Sequence, residues 1–361
     1  MNLAIYGAQA IAIGTYEAIH NLYPIRKIVC FLVTERGQNP EYIAGIPVLE
    51  LESYAETLSM DEKQNTQILI ATPENVMTDI ERLLDSYALC CHVRLTSVRF
   101  AQLMSFNNVS NKEFMPLSAL PVGYHKANLH MFMAKFYKDK PLSEKYHMPE
   151  WITPIQVGAS LCSERVANIL DCDGENISHK NVNYSELTAL YWMWKNRLQE
   201  DLADDSAEYY GLSHYRRILD LSEDDVLRLV DNDVDVVLPY PMPYEPNAGA
   251  HHQRYLKEMD WQVVLHVLQE LQPKYFSRIS KIMNQKYLFN YNIILSRKKV
   301  LADYCDWLFP ILERVEELSN PMGCDRADRY IGYIAETLET IYFTYNKENL
   351  NVKYVGCKFL I

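Results

Sequence analysis

Much that a nucleic-acid, membrane or secreted protein needs is missing from this chain of 361 residues. Positive charge is scarce: 35 Lys and Arg against 47 Asp and Glu leave a formal net charge of −12. That is the wrong sign for nucleic acid or an anionic lipid surface as the main partner. No apolar run approaches the roughly 18 residues of a membrane span, so none is expected. The opening Met-Asn-Leu-Ala-Ile-Tyr-Gly-Ala has no basic segment and no cleavage site, so no signal peptide is expected either. The eight cysteines form no C-x-x-C pair and no zinc spacing, which fits reduced thiols in a cytoplasmic protein. Glycines are few where a dinucleotide loop would want them. Gly7 follows the first strand, but Gln9 and Ala12 stand where the next two glycines would fall. NAD is therefore not expected.

What is present is enough apolar sequence, 48%, for substantial cores, and 26 tyrosines suited to stacking or to half-buried sheets. The length suggests two domains. Over residues 1–95, strands at 2–6, 27–33, 46–49, 67–71 and 91–95 alternate with helices, the pattern of a Rossmann-like parallel α/β sheet. Gly7, Gln9 and the acid Glu35 past the second strand are its candidate cofactor-binding residues; the other reading is a scaffold that kept the architecture alone. Asn107, Asn108, Pro116, Pro121 and Gly123 break the pattern, so 96–125 reads as a linker with one short helix.

A new pattern of mixed strands and helices runs over 126–361. A polar turn, Asp171 to Asn181, leads into a helix over 183–196, with Asn183 as cap and Glu186 completing a capping box. Such a donor-rich turn feeding a buried helix suits an anion or a hydroxyl, and it equally suits caps and turns alone. The strand Tyr209–Ser213 then runs into His214, Tyr215, Arg216 and Arg217, a fixed cationic cluster at a strand end. It is either a seat for a diphosphate or a solvated strand end. An acidic stretch at 200–205 reads as a loop, and the adjacent His251 and His252 diverge too far to share a metal. Ser222 caps an expected helix through Val230, with Asp225 completing its capping box; a strand is expected over 288–296, and helices over 297–318 and 325–345.

D-x-D patterns occur at Asp171–Asp173 and in the overlapping run Asp231-Asn232-Asp233-Val234-Asp235. Asp233 and Asp235 precede their strand, the wrong end for a ligand. Asp171 and Asp173 sit in the polar turn and are the candidate ligands of a divalent Mn²⁺ or Mg²⁺. Arg216, Arg217 and Lys180 are the alternative source of positive charge on a leaving diphosphate.

The segments Pro154–Ala159, Gly174–Ser178, Tyr184–Thr188, Tyr191-Trp192-x-Trp194-Lys195-Asn196, Gly211–Arg217, Tyr304-Cys305-x-Trp307 and Arg329-x-x-Gly332-Tyr333-x-Ala335-Glu336 resemble a bacterial family. It is a glycosyltransferase-like domain family of capsular, exopolysaccharide and lipopolysaccharide clusters. The resemblance runs from about Asn128 to the C-terminus. It implies a GT-A-like hexosyltransferase that uses a nucleotide-diphosphate sugar, UDP-linked, and a glycan or lipid-linked acceptor. It places the protein in the cytoplasm, with room for peripheral attachment at the inner membrane face and for oligomers. The implied substrate-binding residues are Gln156, Gly158, Asn176, Ser178, Lys180, Asn181, Glu186, His214, Arg216, Arg217 and Asn292. Asp325, Asp328 and Glu336 are candidate catalytic bases, with no sequence reason to choose among them. The competing functions are a nucleotide-sugar oxidoreductase or modifying enzyme, and a non-catalytic assembly subunit.

Overall fold

The computed structural model describes residues 2–142, 145–199, 207–252 and 255–360. The acidic stretch 200–205 and the side chains of His251 and His252 lie outside what is described.

The first sheet contains β1 (Asn2–Tyr6), β2 (Ile28–Val33), β3 (Tyr42–Ile43), β4 (Ile46–Glu50), β5 (Thr66–Ile70) and β6 (His92–Arg94), in the order β3-β4-β2-β1-β5-β6. Only the β3–β4 pair is antiparallel. The central strands read as apolar runs because a parallel sheet is covered on both faces. Helices α1 (Ala10–Leu22) and α2 (Glu74–Ser86) make crossovers. Gly7 has φ 127°, and a Cβ there would stand 2.6 Å from the Ala71 carbonyl oxygen. Its glycine lets the carboxyl ends of β1 and β5 close on each other.

The expected linker is in fact built into the body. Its helix, α3 (Ser97–Asn111), is 15 residues long and capped by Thr96, whose side chain accepts from the Arg99 N–H. It packs on α1: Asn21 donates to Asn107 at 3.1 Å, and the Phe100 ring lies over Gly14. Sequence pattern hides this helix because Val98, Phe106 and Val109 are exposed while Asn107 and Asn108 are buried. Its inward stripe is mixed, Phe100, Ala101 and Met104 giving way to Asn107 and Asn108, so the apolar period is cut short.

The second sheet comprises β7 (Asn128–Lys135), β8 (Ile152–Gln156), β9 (Ile169–Leu170), β10 (Glu208–His214), β11 (Arg217–Leu219) and β12 (Val236–Pro239), with β15, β16 and β17 below; β13 (Met242–Pro243) and β14 (Tyr287–Leu288) form a separate small ribbon. The remaining strands are β15 (Ile294–Arg297), β16 (Val352–Val355) and β17 (Cys357–Phe359). The path is β16-β12-β15-β10-β7-β8-β9, with β11 folding back from β10 to pair with β17. β15 is antiparallel to both neighbours and the other neighbours on the path are parallel. The carboxyl ends of β7, β8, β10, β12 and β16 therefore share one edge.

Strand alternation sorts β10 between two cores. Tyr210 and Leu212 face a core with Trp192, Trp194 and Phe309, built by α4 (Leu187–Asn196), α5 (Lys298–Leu318) and α6 (Tyr330–Asn346). Tyr209 faces the opposite core with Leu129, Met131 and Val226.

Three expected elements are interrupted. The helix expected over 183–196 breaks at Ser185, whose φ of 51° and ψ of −127° no helix holds. Asn183 instead donates to the Gly323 carbonyl, and Glu186 is freed from capping. The strand expected over 288–296 breaks at Tyr291 and Asn292, both with positive φ. The last helix starts at Tyr330 rather than 325, behind Arg329 at φ 56°. Asp325 and Asp328 are thus not helix N-terminal acids.

Candidate active site

These breaks converge on one place. Among the described residues eight non-glycine residues have positive φ, and Ser185, Tyr291, Asn292 and Arg329 are four of them. Each such residue costs on the order of 1–3 kcal/mol, which persists only where surrounding contacts enforce it. Here the contacts are to Glu186. Asn292 Nδ2 donates to Glu186 Oε1 at 2.7 Å, Arg329 Nη2 lies 3.7 Å from Oε2, and Arg329 Nε donates to Ser185 Oγ at 2.8 Å. His214 Nε2 is 4.0 Å from Glu186 Oε1 and donates to the Tyr291 carbonyl. A carbonyl can only accept, so Nε2 carries the proton and Nδ1 is the free base. Burial holds the imidazole below its ordinary pKa, with Arg217 and Arg329 acting the same way against Glu186 and the Tyr291 carbonyl.

Glu336, one turn into α6, completes the centre. Burial, and then the Glu186 carboxylate, push its carboxyl up to about 8; the Tyr291 N–H, Arg217 and Arg329 oppose them. Glu339 follows three residues on, on the same helix face. Both its oxygens are buried without a hydrogen-bond partner among the described residues. Burial, and then the Glu336 and Glu186 carboxyls, raise its pKa well above the ordinary carboxylate value.

The two arginines of the opening cluster part company. β10 and β11 form a hairpin in which His214 pairs directly with Arg217, and directly opposed residues share a sheet face. Arg217 therefore shares the face of His214, its guanidinium 3.8 Å from the Tyr291 ring centroid. Arg216 points the other way, beside the Tyr215 ring and near Asp139, whose carboxyl burial raises against the Phe136 N–H, Lys135 and Arg216.

The remaining candidates are placed elsewhere. Asp171 is fully buried; it accepts from the Gly158 and Ala159 N–H groups at 2.7 and 3.0 Å and from Ser178 Oγ at 2.5 Å. Asp173 is exposed. Among the described residues no group of three or more His, Cys, Asp and Glu is placed to hold a metal ion. Gln156 bonds to Glu164 and Val166, Asn176 to the carbonyls of Cys172 and Gly174, and Asn181 to the Ser185 carbonyl. Lys180 Nζ meets Glu316 at 2.6 Å. Gly158 has φ 62°, and a Cβ would meet Asn181 at 2.9 Å. The polar turn thus uses these side chains to hold its own loops at the β8 end. Asp325 is exposed, and Asp328 is drawn into ion pairs with Arg326 and Lys257. Partial burial acts to raise Asp328, but those two cations hold it below its ordinary pKa. In the first sheet Gln9 bonds to Asn39 and Glu35 is exposed.

Residues 141–347 match a family described only as a domain of unknown function, DUF4422. The chain belongs to this family. The DUF4422 segment spans Glu186, His214, Arg217, Asn292, Arg329 and Glu336, so the whole centre lies inside it. A solved structure described as the WbbM bifunctional glycosyltransferase, apo form, is 27% identical with a TM-score of 0.54, over 64% of this chain and 45% of that one. The likeness shows an α/β glycosyltransferase fold, and this chain spans less than half the length of that enzyme. No curated protein matches. Among the described residues no helix is long and apolar enough to cross a membrane.

Sequence reading missed Ser185, Tyr291, Arg329 and Glu339. Arg329 stood in a quoted motif, but only the left-handed backbone turns it back on Glu186.

Proposed function

We propose that this DUF4422 chain is an inverting GT-A-like glycosyltransferase. It moves a hexose from a UDP-linked or similar nucleotide-diphosphate sugar to a growing surface polysaccharide or lipid-linked glycan. The observation that carries this reading is the convergence of Glu186, His214, Arg217, Arg329 and Glu336 at a sheet's carboxyl edge, where burial and Glu186 push the Glu336 carboxyl up to about 8. A base tuned toward the working pH takes a hydroxyl proton most effectively. In the reaction the acceptor oxygen bonds to the anomeric carbon as the bond to the diphosphate breaks. The acceptor proton goes to Glu336. The negative charge arriving on the diphosphate is met by Arg217 and Arg329. Glu186, fixed by Asn292 and Arg329, holds His214 and the Tyr291–Asn292 backbone in place. The loops at Gly158 and Asp171 are the proposed seat of the nucleotide, with backbone groups rather than the spent side chains as contacts. Residues 126–361 carry the transferase domain in this reading, residues 1–95 a second domain, with α3 between.

The test is release of nucleoside diphosphate from a panel of UDP-, GDP- and dTDP-sugars in the presence of glycan acceptors. Glu336→Gln should lose roughly 100-fold or more of the rate, the usual size of a general-base contribution, while melting no lower than wild type. Absence of release from every donor, or full activity in Glu336→Gln, overturns the proposal.

A further inference from the structure

Where the two sheets meet there is a cavity of about 130 Å³. It opens at the carboxyl ends of both: Thr72 and Pro73 follow β5, Leu95 follows β6, and Pro239 ends β12. Ligands collect at such strand ends and between domains. The walls are rings, Phe100, Tyr240, Tyr291 and Phe359, with few polar groups between them. An apolar cavity of roughly 150 Å³ accommodates benzene, so this one is sized for a single ring.

Its polar groups restrict the occupant further. Thr72 Oγ1 is buried on the wall with no hydrogen-bond partner among the described residues. A buried hydroxyl left unpaired is costly, and an oxygen on a ligand would satisfy it. Arg217 offers donors from the opposite side, held between the Tyr291 and Phe359 rings at 3.8 and 5.2 Å. The one acid on the wall, Glu74, is occupied by the Ser97 N–H and hydroxyl at 2.5 and 2.6 Å, and its charge disfavours an anion. A free sugar ring would leave most of its hydroxyls unpaired against these walls.

We propose that this cavity binds one uncharged, planar ring bearing a hydroxyl or carbonyl oxygen. Tyr291 joins it to the candidate centre, since its ring walls the cavity while its backbone holds His214 and Glu336.

Binding is measured by calorimetry on the full chain without any sugar donor, so its outcome is independent of transfer. Benzyl alcohol should bind more tightly than toluene, and methyl glucoside should not compete. Thr72→Val should weaken benzyl alcohol about 3- to 10-fold, the worth of one neutral hydrogen bond. It should leave toluene unchanged and the melting temperature no lower. Ile11→Trp, which fills the cavity, should abolish both. No binding of benzyl alcohol to the wild type at about 10 mM, equal binding by Thr72→Val, or competition by methyl glucoside overturns the site.

Discussion

At Glu336 the raised pKa ties activity and stability to pH in opposite directions. The base works only when ionised, so transfer should rise with pH and level off above about 8. Stability runs the other way. The folded carboxyl holds its proton up to about 8, whereas an unfolded one releases it near 4.3. Between those values the native state binds more protons than the unfolded state, so stability falls as pH rises through the window. Thermal melts of wild type and Glu336→Gln from pH 4 to 9 should show a steeper decline for the wild type; parallel curves would remove Glu336 as a buried titrating group. The arginines make a second residue-level test. Arg217→Ala should cost about 100- to 1000-fold in transfer, the scale of losing a preorganised donor, and Arg217→Lys should recover only part of it, since a point charge lacks the planar fork. Arg216→Ala should stay within a few-fold, because its side chain leaves on the other face. Reversed effects would mean that the hairpin register has been misjudged.

Loops held from inside govern behaviour at the level of elements. Asp171 joins the loop after β8 to the turn before α4 through three hydrogen bonds. Asp171→Ala would leave two buried N–H groups and a hydroxyl unpaired, a loss of about 3 kcal/mol in urea unfolding. Because that carboxylate is already committed, neither EDTA nor Mn²⁺ should move the melting temperature of the free chain by more than about 1 °C; an Mn²⁺-dependent rise of several degrees would show Asp171 leaving its donors for a metal. The segment before α6 is fixed differently. Arg326 grips Asp260 with two bonds of 2.7 and 2.9 Å, both side chains almost fully buried. Asp260→Ala leaves the buried guanidinium only its Asp328 partner and should destabilise by about 1–3 kcal/mol. A change below about 1 kcal/mol would show that water reaches the pair.

Across the whole molecule, the two sheets are joined by close packing at Gly356, where an added Cβ would stand 2.5 Å from the Ala101 Cβ on α3. Gly356→Leu should cost about 1–3 kcal/mol by overpacking and should loosen benzyl alcohol binding in the adjoining cavity. An unchanged melt would mean that the sheets separate freely. Lys286, placed between Glu17 at 3.0 Å and Glu245 at 3.1 Å, ties the same two halves with charge; partly exposed, it contributes little on its own.

The longer strands of both sheets were legible in sequence, because period-two and continuous apolar runs follow directly from which faces are covered; the short β3, β9, β11 and β17 were not. The capping box at Ser222 and Asp225 was legible too, as was the cationic cluster at His214, Arg216 and Arg217, though not which arginine shares the face of His214. Three things were decided only by tertiary structure. Helix α3 buries Asn107 and Asn108 beside Met104, so its hydrophobic period is cut short. The positive-φ turns at Ser185, Tyr291 and Arg329 lie in residues with no preference for that geometry, and Asn292 alone is of a type that adopts it readily; long-range contacts impose the other three. Choosing Glu336 over Asp325 and Asp328 depended on distance in space. Asp328 is held ionised by Arg326 and Lys257, while Glu336 is buried beside Glu186, more than a hundred residues away in the chain. A carboxyl's pKa belongs to its surroundings, and those exist only once the chain has folded.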